Sequence, residues 1–281
     1  MHCSLFVLAW TQIQSERSMP RAVPSPVSVE AGPDARGRAA ILTELRRRLP
    51  QLETVAQGTQ TLPFGLLRLD QALPRGGLAL DALHEIVPET AADLGAALGF
   101  LCAILSRTNN EQSIVIVQGR ADAAQRGQWH GHGLQALGLD PARLLLVQTG
   151  EDVETLWAME EVLRSGAAAA VAGFPGPRGL DLKASRRLHL AAAQAGLPLF
   201  LVLSGAGASA AATRWRIGAA PAGRDRFGLV ERWRWRAGLE RCRNGRTGQW
   251  IVEWDHGAHR FSLAAALADP ALPGGAAVHA A

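Results

Sequence analysis

Lysine is nearly missing from this sequence: Lys183 is the only one among 29 basic residues. A phosphate-cradling loop of the G-x-x-x-x-G-K-[ST] kind needs a lysine to neutralise the β and γ phosphates. It also needs two glycines, so that the backbone can wrap them, and a hydroxyl for Mg²⁺. Lys183 follows Gly-Leu-Asp-Leu and belongs to no such loop. The segment where the loop is expected is LHEIVPETAADLG, residues 83 to 95, in which a short apolar strand runs into an alanine-rich helix. Laid over the pattern, it supplies Val87, Ala92, Asp93 and Leu94 at the four defining positions. None has the required chemistry. Asp93 sets a negative charge where a triphosphate would bring several more, and one such contact at about 4 Å costs ~1 kcal/mol even in the dielectric of bulk water. No nucleotide cofactor is expected, and Thr90 is placed to serve as the helix N-cap.

Other absences narrow the field further. Three cysteines, Cys3, Cys102 and Cys242, are odd in number and widely spaced, which argues against a disulfide framework or a zinc site and suits a reducing cytoplasm. No apolar run approaches the eighteen or so residues that cross a bilayer, so no membrane association is expected. CSLFVLAW at the start has no basic residue before it and no cleavage site after it, so it is not expected to be a secretory leader. Met19 precedes a Pro-rich stretch, and the first eighteen residues read as an extension outside the fold. His130 with His132, and Asp255 with His256 and His259, lack the further ligands a four-coordinate metal site needs. Ser204 sits in no G-x-S-x-G elbow and has no histidine nearby in sequence, so a hydrolase is disfavoured.

The net charge of +4 is unevenly placed. From residue 214 to 260 there are eleven arginines against five acidic residues, a surplus of six that leaves the rest of the chain at −2. Arg214, Arg216, Arg232, Arg234, Arg236, Arg241 and Arg243 are therefore the candidate contacts for DNA phosphates or an acidic partner. In RWRWR, Trp233 and Trp235 fall on one face of a strand and Arg232, Arg234 and Arg236 on the other. Trp250, Val252 and Trp254 share a face after the RNGRTG turn. The alternation favours tryptophans packed in the core over tryptophans free to stack on bases. Contact with DNA would then be weak and salt-sensitive.

Along the chain, residues 1–38 read as a disordered extension, with PRAVPSPVSVEAGPDARG rich in Pro, Gly and small residues. Residues 39–61 are an amphipathic helix and linker, with Ile41, Leu42, Leu45 and Leu49 on one face and a stop near Pro50. Residues 62–263 form the main domain and 264–281 a flexible tail. Within the domain, strands are expected at ALHEIV, SIVIVQG, RLLLVQT, AAAAVAGF and LPLFLVLS, with helices at 91–107, 151–165 and 181–195 between them. Unbroken apolar strands alternating with helices predict an α/β fold with a mostly parallel sheet covered by helices on both faces. Beyond residue 213 the period-two pattern adds C-terminal antiparallel hairpin strands. SGAGASAAA, residues 204 to 212, reads as a mobile linker.

LPFGLLRLDQALPRGGLALDALHEIVPET resembles the entry into a RecA recombinase core, with Pro88 and Glu89 kept and the glycines and lysine lost. That resemblance places Phe174 where the Mg²⁺-associated aspartate is expected and Arg120 near the catalytic glutamate. LERCRNGRTGQWIVEWDHGAHRF is similar to the last hairpin of RecA-like helicase and clock-protein ATPases, whose basic residues before the turn reach a neighbouring subunit's nucleotide; Arg241 and Arg243 match them. Together with ALGLDPARLLLV, LWAMEEVLRSGA, RRLHLAAAQAG and TRWRI, these blocks resemble the ImuA family over residues 39 to 263. The resemblance implies a RecA-like fold and an accessory role in damage-induced (SOS) translesion DNA synthesis, and the lost loop residues make a non-catalytic role the expectation. It also implies assembly with an ImuB-like, polymerase-related partner, with RecA and an error-prone DNA polymerase as further partners. Two alternatives stand beside it: an ATP-dependent DNA motor with a non-standard site, and a cell-division inhibitor of the same superfamily.

Overall fold

The computed structural model describes residues 60–264, except 109–110, 177–179, 206, 225, 228 and 256. The N-terminal extension, the amphipathic helix at 39–49, Cys3, His256 and the tail beyond 264 lie outside the described residues. In chain order the elements are β1 (Thr61–Leu62), α1 (Leu67–Asp70), β2 (Leu78–Ala79), β3 (Leu83–Pro88), α2 (Leu94–Leu105), β4 (Ser113–Gly119), α3 (Arg120–Arg126), α4 (Gly131–Ala136), β5 (Leu144–Thr149), α5 (Asp152–Ser165), β6 (Ala168–Phe174), α6 (Leu182–Ala195), β7 (Leu199–Val202), β8 (Thr213–Arg224), β9 (Val230–Cys242), β10 (Gly248–Asp255) and β11 (Arg260–Leu263).

One nine-stranded sheet runs in the order β11-β10-β9-β8-β3-β7-β6-β4-β5, and β1 pairs with β2 in a separate two-stranded ribbon. From β8 to β5 all neighbours are parallel, and from β8 to β11 all are antiparallel. This is the α/β sheet, mostly parallel with an antiparallel C-terminal extension, that the apolar periodicity predicted, and it is consistent with a RecA-like fold. The five apolar strands follow the expected segments closely; β3, β4, β6 and β7 are buried on both sides, as such runs require, while β5 at the sheet edge exposes Leu145 and Leu146.

On one face α2 packs Phe100 and Ile104 with Ile86, Phe200 and Val202 of the sheet and with Trp215, Trp235 and Phe261 of the extension. Gly99 in α2 allows this approach: a Cβ there would lie 3.0 Å from the Trp235 indole. On the other face α5 and α6 bury Met159, Leu163, Leu188 and Ala192 against Leu83, Val87, Val171, Leu199 and Leu201. The two short helices α3 and α4 were not anticipated. RADAAQR and GHGLQA are too polar and glycine-broken to show a helical apolar stripe. The segment expected to be a mobile linker is tied to α6 at Ser209 and Ala210. Ser209 is buried, its hydroxyl 3.0 Å from that of Ser185 on α6, and the Ala210 N–H also donates to Ser185.

Candidate functional site

The turn after β3 positions the segment that was overlaid on a phosphate loop. Residues Ala91–Asp93 make a single 3₁₀ turn, entered through Thr90 in an extended conformation, and α2 begins at Leu94. Asp93 does not face open solvent; it is 8% exposed. One carboxylate oxygen accepts from the Thr90 N–H at 3.0 Å and the Thr90 hydroxyl at 2.6 Å. The other accepts from the Ala219 N–H on β8 at 2.7 Å. These bonds, first that from Ala219 and next that from the Thr90 hydroxyl, hold the carboxyl below the ordinary aspartate range, with the Arg236 charge adding a smaller pull. A negative charge of the chain's own therefore sits at the start of α2, the position where a helix dipole elsewhere attracts a bound anion. Asp93→Ala is expected to lower the unfolding free energy by about 1–2 kcal/mol, as for loss of a helix cap. An unchanged urea midpoint would mean that the bonds to Thr90 and Ala219 contribute nothing.

Beside this turn, the arginines singled out by charge form a ladder on the face of the extension opposite the tryptophans. Arg214 meets Glu85 at 2.7 Å, Arg236 meets Glu89 at 2.8 Å, and Arg216 pairs with Glu240. Arg234 and Arg232 share Glu253, at 2.5 and 3.6 Å. Five of the seven arginines therefore have carboxylate partners, and Glu85 and Glu89, from outside residues 214 to 260, offset two of the six surplus charges. Trp215, Trp235 and Trp254 are buried, so none of the three is free to stack on a base; Trp233 and Trp250 are partly buried.

Arg241 and Arg243 occupy a different position. The β8–β9 register shifts between Arg214 and Trp215, which face Arg241 and Leu239, so Glu240 is an extra residue on β9. Such a bulge reverses which side of the sheet the following residues take. It carries Arg241 to the side of Arg214, where its guanidinium donates to the Ser209 carbonyl. Arg243 follows, with Nη1 3.3 Å from His189 Nε2.

No protein-family model matches the chain. Over 234 residues it is 37% identical to the proteins named ImuA of two Caulobacter vibrioides strains, NA1000/CB15N and ATCC 19089/CIP 103742/CB 15. The match covers 75% of this chain and 91% of each relative. The chain belongs to the ImuA family.

In this ImuA-family chain the C-terminal ends of β4 and β7 carry an internal polar relay, through α3, that the sequence did not reveal. Gln118 donates to Asp122 at 2.9 Å, Arg126 pairs with Asp122 at 2.8 Å, and Arg126 donates to Ser204 at 2.6 Å. The i, i+4 spacing of Gln118, Asp122 and Arg126 was the available signal; the link to Ser204, 78 residues away, had none. Phe174, at the end of β6, is buried with its ring 5.3 Å from that of Trp129, while Arg120 is exposed at the start of α3. Among the described residues no group of three or more His, Cys, Asp or Glu side chains converges as a metal site would need. The His130 and His132 rings lie 5.5 Å apart, and the His259 ring stacks on Trp254. Cys102 is buried and its thiol is pushed up to about 12, which makes it chemically quiet. Among the described residues no helix is long and apolar enough to cross a membrane.

Proposed function

We propose that this ImuA-family chain is a non-catalytic, RecA-derived accessory protein of damage-induced translesion DNA synthesis. It acts in the cytoplasm by assembling with an ImuB-like, polymerase-related partner, and with RecA and an error-prone polymerase in the wider complex. Family membership supports the setting. The observation that carries the non-catalytic reading is the Asp93 carboxylate, bonded to Thr90 and Ala219 where a phosphate loop would present N–H groups to a nucleotide. Val87 and Ala92 replace the loop glycines, Leu94 replaces the Mg²⁺ hydroxyl, and Phe174 stands in place of the metal-associated acid. Burial of the sheet, at about 25 cal/mol per Å² of apolar area, does not depend on a nucleotide, so the fold survives loss of the loop.

Two measurements test the proposal. Titration calorimetry with Mg-ATP is expected to show no binding up to millimolar nucleotide; micromolar affinity would refute the non-catalytic reading. Cross-linking mass spectrometry on the complex assembled in damaged cells is expected to join this chain to the ImuB-like partner. Cross-links to a cell-division protein alone would refute the translesion role.

A further inference from the structure

Three arginines outside the ladder, Arg75, Arg243 and Arg246, lie together at the end of the sheet away from Asp93. The β9–β10 turn, residues 242 to 248, lies against the turn that precedes β2, residues 73 to 77. The Arg246 N–H donates to the Ala72 carbonyl at 2.8 Å. Gly245 allows that contact, since a Cβ there would lie 2.6 Å from the same carbonyl oxygen. The joined turns carry Arg75, Arg243 and Arg246, all exposed. Arg75 holds φ 56° and Asn244 φ 60°. That conformation is routine for asparagine but uncommon for arginine, so the turn dictates where the Arg75 side chain starts. Among the described residues none of the three arginines has a carboxylate within ion-pair distance, in contrast to Arg214, Arg216, Arg232, Arg234 and Arg236.

We infer that these two joined turns form a contact surface for the DNA phosphodiester backbone, separate from the arginine ladder. Positive charge extends from them onto α6 through Arg186, and not through His189, which is neutral near pH 7. His189 borders Arg243, and Arg186, one turn earlier on that helix, is exposed. Burial first, and the Arg243 charge next, keep His189 below its ordinary value, while Asp81 pulls the other way. Guanidinium groups present a rigid fork that matches phosphate oxygens two at a time. Neither turn bears an exposed large apolar side chain. A protein interface draws most of its strength from such anchors, whereas a phosphate backbone needs only charge and close approach. Asn244, Gly245, Thr247 and Gly76 provide small polar or bare backbone positions between the arginines. Contacts of this kind are independent of base sequence.

The test is fluorescence anisotropy of a labelled DNA duplex with the full chain between 50 and 200 mM salt. The wild type is expected to bind at low salt and weaken steeply as salt rises. Arg75→Ala/Arg243→Ala/Arg246→Ala is expected to weaken binding on the order of tenfold and to reduce the salt slope by roughly two to three, since each phosphate contact contributes about 0.9. Arg232→Ala in the ladder is expected to leave the slope unchanged. The corresponding triple lysine variant keeps the charges and is expected to retain most of the slope, which separates loss of charge from loss of folding. A triple alanine variant that binds like wild type would overturn the inference. So would a wild type that ignores DNA at 50 mM salt but binds a polyglutamate peptide through the same arginines, which would mark the surface as a dock for an acidic protein.

Discussion

Replacing Arg214 with alanine is expected to lower the unfolding free energy by about 3–5 kcal/mol, the usual cost of leaving a buried charge without its partner. Glu85 lies in the middle of β3, wholly buried, between Leu201 on β7 and Arg214 on β8. Its Oε2 accepts from Arg214 Nε at 2.7 Å, and its Oε1 has no hydrogen-bond partner among the described residues. Arg214 is 12% exposed and also donates to the Gly207 carbonyl at 2.6 Å. The pair ties the central parallel strand to the first strand of the extension, but a half-satisfied buried pair is a poor source of net stability. Glu85→Leu combined with Arg214→Met is therefore expected to match or exceed the wild type in urea denaturation, while Arg214→Ala alone falls far below it. Equal stability of the single variant and the wild type would show that the pair is hydrated and weak.

The second large effect is on acid stability. His84, on the opposite side of β3 from Glu85, is buried and stacked on Phe200, with ring centroids 5.3 Å apart. Its Nε2 lies 2.8 Å from the Ala79 carbonyl, which can only accept, so Nε2 carries the proton. Nδ1 then accepts from the Thr213 hydroxyl at 2.8 Å, and that hydroxyl accepts from the Trp215 indole N–H at 3.1 Å. From the Ala79 carbonyl through His84 and Thr213 to the Trp215 indole, each of these polar groups is satisfied when the imidazole is neutral. Burial, the dominant cause, lowers the His84 pKa from 6.5 to about 4. Above pH 6.5 both folded and unfolded states hold the ring neutral and stability is at its full value. As pH falls from 6.5 to 4 the unfolded chain takes up a proton that the folded chain refuses, at a cost of about 3 kcal/mol over the window. His189, also lowered, adds in the same direction. Asp93 acts in a separate window, since its contribution is lost only as pH falls below the ordinary aspartate value. His84→Gln is expected to be less stable at pH 7 and to show a shallower fall between pH 6.5 and 4. An unchanged slope would mean that His84 charges without hindrance in the folded protein.

The parallel strands and the three long helices were legible because burial on both sides of a sheet writes itself into continuous apolar runs. The tryptophan alternation likewise foretold which face of the extension joins the core. What sequence could not supply was pairing between distant elements. The surplus of arginines over acids after residue 213 is real, yet two of the carboxylates that offset it, Glu85 in β3 and Glu89 just past its end, lie more than a hundred residues earlier. The bulge at Glu240 is equally silent, because one added residue leaves composition and period almost unchanged while reversing the side on which Arg241 and Arg243 emerge. At the loop after β3 the sequence showed an acid in the wrong place for a nucleotide. It could not show that Ala219, 126 residues later, would donate to that acid.

The most direct measurement is a crystal structure of the protein soaked with Mg²⁺ and a nonhydrolysable ATP analogue. The account predicts no phosphate density at the start of α2 and an Asp93 carboxylate still bonded to Thr90 and Ala219. Density for the β and γ phosphates at that turn, with Asp93 swung outward to admit them, would contradict it.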